Sequence, residues 1–193
     1  MPLSKPTHSA GFSLIETMVV AGVVAVGASL TVVQTEQAFA HLRGNAAMRA
    51  VQAQLTVARS LAMTQRRNMI VTCVPPNQIQ IVRQEVPAGT TVVGTTTLGH
   101  GAIIHRFSSV SDTPDAFGVN ADCDFGSTTT TAAFTPEGAL VNQLGVPINA
   151  TVYLGIPNDI KTIRAVSVFG STGRIRGYRW IWIGSSQGRW DNP

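Results

Sequence analysis

Charge is scarce in this chain of 193 residues: Asp, Glu, Lys and Arg make up 12%, against a usual share of about 25%. Hydrophobic residues reach 44%. Such a balance suits a chain part of which lies outside water, and whose remaining faces are covered by neighbours. Motifs of catalysis are missing too. His8, His41, His100 and His105 lack the H-E-x-x-H spacing of a zinc hydrolase. Neither G-x-S-x-G nor a Walker loop occurs, and Gly170-Ser171-Thr172-Gly173 reads as a hairpin turn. These absences argue against an enzyme and imply no cofactor and no metal. Asp112, Asp115, Asp122 and Asp124 gather mid-chain and could offer oxygens to calcium, but a solvated acidic loop is the simpler account. Only two cysteines are present, Cys73 and Cys123, without C-x-x-C spacing. Outside the cytoplasm they could close one loop of about 50 residues, worth at most about 4 kcal/mol; the alternative is two buried thiols. No repeat and no second globular domain is visible.

One long apolar run is present. From Phe12 to Val33 the residues are apolar or small, with a single charge at Glu16. A helix of about 22 residues reaches roughly 33 Å, enough to cross the hydrocarbon core of a bilayer. A carboxylate inside such a span costs about 2.5–3.5 kcal/mol at its centre and less near its end. A positive partner would offset that cost. If a leader ended at Gly11, the free amine of Phe12 would lie about one turn before Glu16. A rival reading is an ordinary secretory signal cut at Ala38-Phe39-Ala40, releasing a protein that starts at His41. Against it stand the length of the run, a single lysine ahead of it (Lys5), and Glu16 within it. A plain membrane anchor with Glu16 incidental is the third possibility.

Gly11-Phe12-Ser13-Leu14-Ile15-Glu16 resembles the class III signal of type IV pilins and type II secretion pseudopilins. The resemblance implies cleavage between Gly11 and Phe12 by a prepilin peptidase, N-methylation of Phe12, and docking of subunits through Glu16. It also implies a single-pass precursor in a bacterial inner membrane, served by an assembly platform there. The subunit would then join other pilin or pseudopilin subunits in a periplasmic pseudopilus or an extracellular pilus. Many major pilins carry a proline where this chain has Val33, so no proline kink is expected there.

Beyond Val33 the helix should continue to about residue 66. No proline interrupts 34–66, and good helix formers dominate. Ala47, Val51, Leu55, Ala58 and Ala62 form one stripe of a 3.6-residue period, with Arg49, Gln52, Thr56 and Arg59 on the other side. Gly44 reads as a weak point, costing about 1 kcal/mol against alanine. Strands follow: a hairpin of 68–74 and 78–85 around Pro75-Pro76-Asn77, then 91–97 and 103–107. A loop at 108–131 precedes strands at 131–135, 139–141, 151–156, 163–169 and 174–183. Arg59, Phe134-Thr135-Pro136-Glu137-Gly138, and Val166-Ser167-Val168 with Gly173-Arg174 resemble the helix-to-strand region, F-x-P-x-G turn and C-terminal strand of the GspH/FimT minor pseudopilins. This implies an α+β fold: a long N-terminal helix, transmembrane in its first half and amphipathic in its second, against two antiparallel sheets. The expected division is a leader at 1–11, the helix at 12–66 with its transmembrane segment at 12–33, and a β domain at 67–193.

The C-terminal stretch invites a different use. Lys161, Arg164, Arg174, Arg176, Arg179 and Arg189 occur there with no acid among them, interleaved with Tyr178, Trp180, Trp182 and Trp190. Arginines contact phosphates and exposed aromatics stack on bases. Gly173-Arg174-Ile175-Arg176 also resembles the G-R-x-R of DNA-uptake minor pilins, which implies DNA as an alternative partner. The competing reading is a final strand with Ile175, Ile181 and Ile183 toward the core and the arginines and tryptophans toward solvent.

Overall fold

The computed structural model describes residues 13–118, 121–126, 129–183 and 187–192. The chain divides into two units, Met1–Phe39 and Ala40–Pro193. Helix α1 runs from Leu14 to Gln65, 52 residues without a break. Within the first unit it exposes apolar side chains all round, from Leu14 at 77% to Val20 at 56%. Among the described residues no helix is long and apolar enough to cross a membrane. Of the expected span 12–33, side chains are described over 13–28.

In the second unit the same helix has one buried face. Ala47, Val51, Leu55, Ala58 and Ala62 are all 4% exposed or less, so the expected stripe is the packed one. The opposite set is only partly as expected. Arg49 and Thr56 are exposed, but Gln52 and Arg59 are half-buried against the strands that follow. Gly44 corrects its own reading as well. A Cβ there would sit 2.6 Å from the Thr162 carbonyl oxygen, so glycine is what lets helix and sheet approach.

Two antiparallel sheets complete the α+β fold. The first has the order β3 (Thr90–Thr97), β2 (Gln78–Gln84), β1 (Met69–Val74), β6 (Thr131–Phe134), β7 (Leu140–Val141). The second runs β11 (Gln187–Asp191), β10 (Arg174–Ile183), β9 (Asp159–Phe169), β8 (Ala150–Ile156), β4 (Ile103–Ile104), with β5 (Cys123–Asp124) also pairing β8. Alternation in β1 and β2 puts Val71, Cys73, Ile79 and Ile81 inside, in one core with the helix stripe and with Val152, Leu154, Val166 and Val168 of the second sheet. Cys73 and Cys123 are bridged, with Cα atoms 6.5 Å apart, which ties β1 of one sheet to β5 of the other.

Three expectations change. Strand 103–107 shrinks to two residues, which join the second sheet. The loop 108–131 holds β5. Strand β11 extends the sheet beyond β10 and was not expected.

Candidate functional site

The start of α1 has its own chemistry. Ser13 precedes the helix, and its carbonyl accepts the backbone N–H groups of Glu16 at 3.0 Å and Thr17 at 3.2 Å. Glu16 therefore lies in the first turn, where free N–H groups favour a carboxylate by about 0.3–1 kcal/mol. The S-x-x-E spacing of a capping box was the available signal for this. Among the described residues the Glu16 carboxylate has no partner. Gly11 and Phe12, the expected cleavage pair, lie outside the described residues.

The residues that carried the finer resemblance converge on one point. Arg59, on α1, donates from Nε to the Gly138 carbonyl at 3.1 Å and from Nη2 to the Thr172 carbonyl at 2.9 Å. One turn belongs to the β6–β7 hairpin and the other to β9–β10, so a single guanidinium holds the helix to both sheets. Gly138 and Gly173 have φ of +83° and +62°, a region that disfavours side chains. A Cβ on Gly173 would also strike the Gly138 carbonyl and Arg59. F-x-P-x-G and G-R thus have a structural reason here.

Beside this clasp lies a groove of about 770 Å³, lined by Arg59, Met63, Phe117, Phe169, Arg174 and Arg176 among others. Arg174 is exposed, and its guanidinium has no partner among the described residues. Arg176 is paired with Asp115 at 2.9 Å. Asp115 also accepts from Ser167 Oγ and Tyr178 Oη. Burial alone would push its carboxyl up; the bonds from Ser167 and Tyr178 and the charge of Arg176 outweigh it and hold it below the usual range.

The C-terminal cations that could contact DNA do not form one patch. Arg174 and Arg179 are five residues apart on β10, about 17 Å along the strand. Arg179 is paired with Asp191 at 2.9 Å, and Lys161 is exposed near that far end. Arg164 corrects the expectation outright, because it is fully buried. Its Nε donates to Asn45 Oδ1 at 2.9 Å, and its Nη atoms donate to the carbonyls of Lys161, Ile163 and His41. Burial first, then the charge of Arg179, brings this guanidinium down to about 10. It is a structural tie between β9 and the helix, with no reach to a phosphate.

The tryptophans keep their expected face, but that face is covered rather than open to solvent. Trp180 is 4% exposed and Ile183 is 54% exposed, the reverse of the expected pattern. Val110 and Ile163 cover Trp180, and Trp190 meets it edge-on at 5.1 Å. Phe107 and Val110 of the 105–118 loop pack on this face, beside Trp190 of the neighbouring β11, so these rings are packing rather than stacking platforms. The aspartates separate as well. Asp112 accepts from the backbone N–H groups of Thr113 and Gly118 and from Tyr153 Oη, while Asp122 accepts from the Arg106 N–H and lies 3.2 Å from His105 Nδ1. Asp124 is buried, and among the described residues no three potential metal ligands cluster.

The class that this architecture defines is an α+β domain of two antiparallel sheets packed on the second half of a long helix. In fold it is similar to the type IV minor pilin FimU of Pseudomonas aeruginosa. One FimU crystal structure gives a TM-score of 0.47 at 16% identity, covering 75% of this chain and 90% of that one. A second crystal form gives 0.46 at 17% identity, covering 69% and 90%. No protein-family model and no curated protein sequence matches the chain.

Proposed function

We propose that this chain is a minor pilin or pseudopilin, a structural subunit of a type IV pilus or a type II secretion pseudopilus. It is made as a single-pass inner-membrane precursor through 12–33 and cut between Gly11 and Phe12 by a prepilin peptidase. An assembly platform then packs it among other subunits. The observation that carries this reading is a helix that exposes Leu14, Ile15, Met18, Val19, Val20, Val23, Val24 and Val26 with one acid in its first turn. A helix apolar on every side is stable only where lipid or other helices surround it. Glu16, paired with the Phe12 amine of a neighbouring subunit, sets the register. The test is incorporation of the Glu16→Ala chain into sheared or cross-linked fibres beside the unaltered chain. A large loss supports the reading, and equal incorporation removes its assembly step.

A second reading, DNA capture, rests on Arg174, the one β10 arginine that is exposed and unpaired among the described residues. Arg174→Gln is then expected to flatten the salt dependence of DNA binding by about one unit. An unchanged slope leaves Arg174 as a surface residue.

A further inference from the structure

The end of the second unit where α1 enters it differs in composition from the rest of its surface. Gly44 packs against Thr162, and the Arg164 Nη2 donates to the His41 carbonyl, so helix residues 41–44 lie beside the start of β9. In the antiparallel β9–β10 pair Arg164 faces Arg179. Four residues outward from each, Ile160 and Ile183 come to the same end. Both are exposed, at 48% and 54%, and Leu42 on the adjoining helix turn is exposed at 59%. Arg43, Lys161 and Arg189 are exposed around them and have no partner among the described residues. Among the described residues the acids at this end are Asp159 and Asp191, and Asp191 is taken up by Arg179. Three exposed apolar side chains set among three free cations is the pattern of a surface that lies on a membrane interface.

We propose that this rim, formed by Leu42, Arg43, Ile160, Lys161, Ile183 and Arg189, docks the β domain onto an anionic lipid bilayer before assembly. The cations meet lipid phosphates, and the isoleucines and leucine enter the headgroup boundary. The proposal rests on the membrane-anchored precursor described above. Residues 34–39 separate the expected span from Ala40, and six residues reach at most about 22 Å even fully extended, so a bilayer is close to this rim. The positive field here acts on the histidine beside it: burial first, then Arg164, Arg179 and Lys161, hold His41 below its usual value.

The full chain is placed in nanodiscs of phosphatidylcholine with or without phosphatidylglycerol, and backbone hydrogen exchange is followed at 157–161 and 181–183. Slower exchange only in the anionic discs is expected. Each neutralised cation among Arg43→Gln, Lys161→Gln and Arg189→Gln should loosen the docked state about fivefold. Added salt should do the same to the unaltered chain, which separates charge loss from misfolding. Equal exchange in both discs with the chain inserted overturns the docking surface and leaves the subunit reading intact. Failure of the chain to insert in either disc overturns both, because the rim then has no bilayer to face.

Discussion

Residues 14–28 and 47–62 belong to one helix and meet opposite fates. In the first stretch valine, alanine and glycine follow one another without a polar face, and its large apolar side chains are 56–77% exposed. In the second, apolar residues recur at 4, 4, 3 and 4, and every member of that stripe is 4% exposed or less. Apolar content alone therefore does not decide burial. A helix with one stripe finds its partner in its own chain, while a helix apolar on all sides needs surroundings that enclose it.

Substitutions at matched positions can break that contrast. Leu55→Ala is expected to lower the stability of the β domain by about 2–5 kcal/mol in chemical denaturation, because Leu55 is fully buried. Val23→Ala should leave it within about 0.5 kcal/mol. Equal effects would mean that the two stretches are not separate in role. Arg59→Ala comes next, at about 3 kcal/mol, since it removes a charged donor from two carbonyls in different sheets. Arg174→Ala, without such partners, should change stability by no more than about 0.5 kcal/mol.

Gly44→Ala sharpens the comparison further. Helix propensity alone predicts a gain of about 1 kcal/mol, but the Thr162 carbonyl at 2.6 Å from the new Cβ predicts a net loss of about 1–3 kcal/mol. A thermal midpoint above that of the unaltered chain would contradict the close approach. The smallest effect is confined to acid. Asp115 titrates below its unfolded value, near 3.8, so the stability it supplies is complete above that pH. That stability fades as pH falls through the lower folded value. Asp115→Asn should therefore narrow its stability deficit against the unaltered chain below about pH 4, while the gap stays constant from pH 5 to 7.

Much of the fold is legible in residue spacing. The helix stripe and the hairpin of β1 and β2 follow from periods of 3.6 and 2 with a Pro-Pro-Asn break between the strands. What escapes is set by long-range partners. Strand alternation turns Trp180 to the outer face but says nothing of Phe107 and Val110, which the 105–118 loop packs over it. Composition reads Arg164 as one more surface cation, because only the fold brings Asn45 and three carbonyls to it. Gly44 looked like a defect because propensity is local, whereas Thr162 is distant in sequence. At the candidate site, Arg59 and the two glycine turns were marked by resemblance, but their meeting at one guanidinium is a property of the packed chain.

The most direct test of the account is the mass and N-terminal sequence of the mature chain extracted from membranes. A chain beginning at Phe12 and carrying one methyl group is the predicted result. A chain beginning at His41, free of the membrane, would contradict it.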